Sequence, residues 1–414
     1  MDIDVDFNHS SSWGPEMRDR LVWLRENDPI FWSEKTNLWD AIPFADLCHI
    51  SKNNEIFCSG LGVRPNNPVK LGLIDEDEPR HGQVRRLINR GFTPRMVKKL
   101  EVAFRIIVKE AIDSVAEKGE CDFVESIAVP LPLLLIAEMI GIHKKDHDRF
   151  HRWSDHMIAG DGNFDNPEIV AKAAAAFGEY TQYCTKIIED RRANPQDDLV
   201  SILVGAKDAG ILVEFDDKQM HNEMRSEESR ALGQDELIKL MVVLLVAGNE
   251  TTRNGMSAGM EIFINHPEER EMLRQNPSLI PVAVEEVLRL ASPIHSFSRT
   301  ATRDTELHGK KIKKGDSVLM IYPSANRDPA QFEDPDTFKI DRNPNHVAFG
   351  IGNHFCLGAN LARMELRVAF EELLRRLPDM EFSEGGPIIQ PSPLVRTCSE
   401  MKVRYTPESK DCVD

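Results

Sequence analysis

Apolar residues return every three to four positions over residues 235–264, the most hydrophobic stretch of the chain, and predict a long buried helix. The same period predicts helices over residues 94–118, 127–140, 145–157, 169–194, 199–208 and 357–377. A short helix over 21–27 should stop before Asp28-Pro29, because the residue preceding a proline is pushed out of the helical region. Strand-like pieces lie within 32–50, and the acids and proline at 75–79 suit the first turn of a helix. Alternation after Pro293 predicts a strand within 292–301, and two short strand signals around Gly309 and Gly315 predict an antiparallel hairpin over 304–320. Residues 58–74, rich in Gly, Pro and Asn without a period, read as a loop, and 161–167 as a turn-rich break. Residues 214–234 are highly charged and read as a solvated surface connection. No linker tract, repeat or low-complexity block divides the 414 residues, and a 41% hydrophobic composition is enough for one large core. The expectation is one domain over 1–414, mainly α with small β-sheets.

Three places break local rules inside these elements, as functional sites do. The centre of the 235–264 helix reads Val246-Ala247-Gly248-Asn249-Glu250-Thr251-Thr252, where a glycine, an acid and two threonines interrupt an apolar run. Gly248 leaves room for a planar ligand, and Thr251 can turn its hydroxyl onto the carbonyl of Ala247. A core helix whose threonines only back-bond would read the same way. The second place is Phe349-Gly350-Ile351-Gly352-Asn353-His354-Phe355-Cys356-Leu357-Gly358, a glycine-punctuated loop that runs into a helix. A helix N-terminus favours a thiolate, the metal-binding form of cysteine. Read alone, such a cysteine is more often structural, and zinc is a poor reading because no second Cys or His stands at ligand spacing nearby. The third comprises two helical pairs. His81 and Arg85 share one face, as do Glu286 and Arg289, and either pair could equally belong to an ordinary surface helix.

Composition narrows the function classes. A formal net charge of -17 argues against non-specific nucleic-acid binding. Seven cysteines at positions 48, 58, 121, 184, 356, 398 and 412 form no disulfide framework, which suits a reducing, cytoplasmic compartment. The N-terminus lacks the basic flank and apolar stretch of a signal peptide, and no apolar run is long enough to span a bilayer. Gly350-x-Gly352 lacks the context of a dinucleotide site.

The cysteine loop resembles the haem-binding loop of the cytochrome P-450 (haem-thiolate monooxygenase) superfamily, Phe-Gly-x-Gly-x-His/Arg-x-Cys-x-Gly, with every fixed position filled. Gly248-x-Glu250-Thr251-Thr252, Glu286-x-x-Arg289 and His81-x-x-x-Arg85 resemble three further motifs of the superfamily, in the proper order from about residue 75 onward. The resemblance implies a helical body around haem b with minor antiparallel sheets and with Cys356 as the iron ligand. It implies that Phe349, Gly350, Gly358, Ala247 and Gly248 border the haem, while His81, Arg85, Arg299 and His354 hold its propionates. Glu250 and Thr251 would deliver protons to dioxygen. Glu286 and Arg289 would form a buried structural pair, with Arg327 or Arg342 as a third member. Val246, Ala247, Ile294, His295 and Phe297 would face the substrate, although His295 could equally be an ordinary hydrogen-bonded histidine. The implied activity is oxygen insertion into a C–H bond of a lipophilic, sterol- or terpenoid-like molecule. Electrons would come from a ferredoxin and its reductase, docking near Cys356 on Arg85, Arg86, Arg90, Arg342 and Arg363. A peroxide-driven peroxygenase and a non-catalytic haem sensor are the alternatives.

Overall fold

The apolar stripes of the sequence become helices in the computed structural model, which describes residues 5–65, 70, 72–92, 94–160, 163, 166–208 and 234–408. Helix Pro94–Ala116 shows why. Phe104, Val108, Ile112 and Val115 recur at helical spacing and all are buried, each worth about 1.5–3 kcal/mol when removed from water. Helix Pro167–Ala193 starts where Asn166 caps it, accepting from the amides of Glu168 and Ile169, with a proline in the first turn. The central helix runs Gln234–Asn265 and packs against Pro130–Ile140, Ile280–Ala291 and Ala359–Arg376. One large apolar cluster joins these helices, and two smaller clusters lie around the sheet and the N-terminal segment.

Several predicted boundaries move for local reasons. The expected helix over 127–140 is a wide turn, Val124–Ala128, followed by Pro130–Ile140, because neither Pro130 nor Pro132 can donate to the preceding ladder. The acids at 75–78 do not form the first turn of the next helix, which spans Arg80–Ile88. Asp75 and Asp77 instead turn back on the glycine-rich loop, accepting from the amides of Val63, Ser59 and Gly60. The predicted 214–234 connection lies outside the described residues except for Gln234, and the 161–167 break lies largely outside them.

The sheets are smaller than the helical body and only partly as predicted. Thr305–Leu307 and Lys310–Ile312 form the expected hairpin, turning at His308 and Gly309, both with positive φ. Ser317–Ile321, however, leaves that hairpin and pairs antiparallel with Ser296–Ala301. Its other edge takes Leu38–Ala41 in parallel, contrary to the expectation of antiparallel sheets throughout. A pair of strands so far apart in sequence carries no turn that would impose antiparallel pairing. The result is a five-stranded sheet of N-terminal and C-terminal strands beside the helices.

Candidate functional site

The cysteine loop is a rigid turn. Cys356 N–H donates to Phe349 O at 2.8 Å, Gly350 N–H to Val347 O at 2.8 Å and Phe355 N–H to Gly352 O at 3.0 Å. Gly350 and Gly352 have φ of 68° and 78°, and a Cβ on Gly352 would stand 2.5 Å from Ser51 O, a backbone atom that cannot give way. Helix Ala359–Arg376 begins three residues after the cysteine, so the Gly358 and Ala359 amides bond to the sulfur. Burial nonetheless raises the Cys356 thiol, and these amides with Arg85 and Arg363 only partly offset it. The exposed surface of Cys356 is exposure to a cavity, not to the outside of the molecule. The dipole argument from sequence is therefore outweighed, and a bound cation would be needed to hold the thiolate. No cluster of three His, Cys, Asp or Glu among the described residues could hold a metal by itself.

The cavity has a water-accessible volume of about 290 Å³. Cys356, Phe349, Gly350 and Gly358 border it together with Val246, Ala247, Gly248, Glu250 and Thr251, with Ile294 and Phe297 also in its wall. His81, Arg85, Arg299 and His354 also line it. The Arg299 side chain is buried, its Nη1 donating to Ser298 O at 2.7 Å while Nε has no partner. His81 approaches Glu78 through Nδ1, leaves Nε2 without a partner, and lies 4.1 Å from the His354 ring, centroid to centroid. Arg85 donates to Phe355 O. Burial, then the charges of Arg299, His81 and Arg85, push His354 down to about 2. Two guanidiniums beside two imidazoles that burial holds neutral, with the buried donors of Arg299 Nε and His81 Nε2 unused, make a site suited to carboxylates.

These features fit a haem. Its two propionates would match the orphaned donors and a Cβ at Gly358 would enter open space, while Cys356 offers a single sulfur to the same cavity. Gly248 behaves differently from expectation. A Cβ there would meet Ile136 Cδ1 at 2.7 Å, so the glycine admits a neighbouring helix, and only its backbone borders the cavity.

The helix centre matches the sequence reading at Thr251, whose Oγ1 donates to Ala247 O at 2.8 Å. Glu250 is buried, ion-paired with Arg253, and accepts from Asn254 Nδ2 at 3.0 Å. Burial and then the Asp155 charge raise its carboxyl to about 7 against the pull of Arg253. One carboxyl escaped the sequence reading. Glu365 is buried, borders the cavity, bonds to Thr252 and leaves Oε2 unpartnered, and burial pushes it up to about 8. Its signal was present, since Leu361, Glu365 and Val368 fall on one helical stripe that is otherwise apolar.

Glu286 and Arg289 form a buried bidentate pair at 2.7 Å, and Arg289 also donates to Asn326 O and Pro335 O. The third member is Arg342, 3.1 Å from Glu286 Oε1, whereas Arg327 binds Asp336. His295 does not reach the cavity: its ring stacks 3.9 Å from Trp13, Nδ1 meets Ser392 O at 3.0 Å, and burial pushes it down to about 3. Nor do the expected docking cations form one free face. Arg85 turns inward, Arg342 serves Glu286, and Arg363 grips Glu285 with two 2.7 Å bonds. Arg86 has interactions of its own, and the Arg90 side chain lies outside the described residues.

The family described as Cytochrome P450 matches residues 149–395. The chain is 36% identical to a steroid C26-monooxygenase of Mycolicibacterium smegmatis over 95% of its own length and 93% of the relative's. The chain belongs to the cytochrome P450 family. A methyl-branched lipid omega-hydroxylase of Mycobacterium tuberculosis is 37% identical to this P450 over 92% of the chain and 90% of that protein. The Mycobacterium marinum cytochrome P450 CYP268A2, solved with pseudoionone, superposes on it with a TM-score of 0.86 at 31% identity, covering 98% and 99% of the two chains. A cytochrome P450 monooxygenase works with dioxygen and redox partners, and the family carries a haem held by a thiolate. No helix among the described residues of this P450 is long and apolar enough to cross a membrane.

Proposed function

We propose that this P450 binds haem b through Cys356 and hydroxylates a C–H bond of a bulky lipophilic molecule of the sterol or isoprenoid type. The observation that carries the reading is that one cavity is lined by a lone cysteine, a buried acid and an alcohol. When bound, the haem supplies the oxygen-activating and C–H-cleaving chemistry, and a cysteine ligand pushes electron density that favours O–O cleavage. Arg299, His81, Arg85 and His354 would hold its propionates. The protein's remaining tasks are to position substrate, exclude water and meter protons. Leu240, Val243, Leu244, Ile294, Phe297 and Val395 offer a mainly apolar wall suited to a lipophilic substrate. Thr251 Oγ1 is held on Ala247 O, which keeps the hydroxyl at the cavity edge. Glu250, poised near neutrality, can gain and lose a proton at working pH.

The names of the relatives support the substrate class, since they act on a steroid and on a methyl-branched lipid. Electrons come from an external ferredoxin-type donor and its reductase, because the chain has no flavin or nicotinamide fingerprint. The test is a spectral-shift screen of haem-loaded enzyme against steroid, terpene and aromatic-acid libraries, followed by turnover with ferredoxin, reductase and NADH. A steroid or terpene that shifts the spectrum and yields hydroxylated product in step with NADH supports the reading. Selective binding of aromatic acids overturns the substrate class, and product formed only with peroxide overturns the donor.

A further inference from the structure

Glu250 sits at the inner end of a chain of charges that reaches another helix. Its carboxylate is paired with Arg253, Arg253 Nη1 stands 3.2 Å from Asp155 Oδ1, and Asp155 Oδ2 stands 3.1 Å from His151 Nε2. Side-chain exposure rises along the chain, from 3% at Glu250 and 11% at Arg253 to 40% at Asp155 and 39% at His151. Asp155 and His151 belong to helix His147–Ala159, which is fastened to the central helix again where Asn249 Nδ2 donates to Ser154 Oγ at 2.9 Å. The same helix brings Ile158 into the cavity wall, one turn from Asp155.

A guanidinium keeps its charge in proteins, so this chain cannot pass protons from His151 to Glu250. It can decide how strongly Glu250 holds one. We propose that Arg253 and Asp155 are positioning residues for the monooxygenase reaction: they hold Glu250 in an ion-paired setting and tie its charge to the helix that carries Ile158. Arg253 favours the carboxylate and Asp155 opposes it by its own charge and by engaging Arg253. His151, whose imidazole is raised by its hydrogen bond to Asp155, tunes that opposition from the solvent side. From strand Thr397–Glu400 the group is reached through Asn254, whose Oδ1 accepts from Cys398 N–H at 2.9 Å. Glu365, on Ala359–Arg376, bonds to Thr252.

The proposal rests on the assignment of Glu250 and Thr251 as the proton-delivering pair, and its test has a part independent of turnover. The carboxylic C=O band of Glu250, identified by its loss in Glu250→Gln, is titrated by infrared difference spectroscopy in the haem-loaded resting enzyme. Arg253→Gln should raise the midpoint and Asp155→Asn should lower it, each by about one unit, while Arg253→Lys restores most of it. Product formed per NADH should fall several-fold in Arg253→Gln and Asp155→Asn with little change in substrate affinity. Midpoints that coincide across all variants overturn the proposal, and so do separated midpoints with unchanged product per NADH. Loss of haem in Arg253→Gln leaves Asp155→Asn and Arg253→Lys to decide it. Failure of the assigned function has another signature, a wild-type enzyme that makes no hydroxylated product while the midpoints still separate.

Discussion

Glu250 and Glu365 are carboxyls at the same cavity, both raised toward neutrality by burial, yet their surroundings differ. Glu250 has a guanidinium and an amide as partners, while Glu365 has only a hydroxyl from Thr252 and an unpartnered Oε2. In the folded protein Glu365 therefore keeps a proton that the unfolded chain releases near its ordinary value of 4.5. A group with a raised folded value binds more protons folded than unfolded, so stability falls as pH rises from about 4.5 towards about 8. Glu365→Gln should flatten this slope and gain about 4 kcal/mol over wild type at pH near 8, with little gain near pH 5, as read by chemical denaturation at the two pH values.

At the scale of elements, the Ile280–Ala291 helix is anchored by charge as well as by its apolar face. Glu286 and Arg289 are both 0% exposed, so removing Glu286 leaves Arg289 buried without a counter-ion, and removing Arg289 leaves buried Glu286 only the 3.1 Å contact with Arg342. Glu286→Ala or Arg289→Ala should cost about 3–5 kcal/mol and abolish haem incorporation, measured by thermal unfolding and by haem content. Arg342→Leu should lower haem content, because it also strips Glu286 of a partner, whereas Arg327→Leu should be mild, since its partner Asp336 is partly exposed. Reversal of that order would contradict the geometry.

These elements also show what a sequence carries. Cys356, Glu250 with Thr251 and Glu286 with Arg289 were legible because the relevant partners lie within one helical turn or one loop. Arg342, Gly248 and His295 were not, since their roles depend on Glu286, Ile136 and Trp13, each brought near only by tertiary folding. Helix positions followed from periodicity, but the acids at 75–78 were misassigned because hydrogen bonds to a loop upstream outcompeted helix initiation. Glu365 could have been found by asking why an acid stands in an apolar stripe.

For the whole molecule, the cationic rim sets the cost of lacking its cofactor. Arg299 and Arg85 keep their charge on this rim, while burial and those charges hold His81 and His354 neutral, so without carboxylates between them two guanidiniums stand unbalanced. Removing haem should lower the melting temperature by more than 10 °C or so, and the apoprotein, unlike the holoprotein, should regain part of it when salt rises to about 1 M and screens the rim. Scanning calorimetry at two ionic strengths measures both effects, and an apoprotein insensitive to salt would argue against a repulsive rim.

The parallel pairing of Leu38–Ala41 with Ser317–Ile321 has a consequence for synthesis. During translation the hairpin of Ile30–Ser33 and Leu38–Ala41 emerges early, and its free edge must wait for the greater part of the chain before its partner leaves the ribosome. A nascent chain stalled ahead of Ser317 thus carries an unpaired, largely apolar strand edge, the natural place for a chaperone to bind and for premature termination products to aggregate.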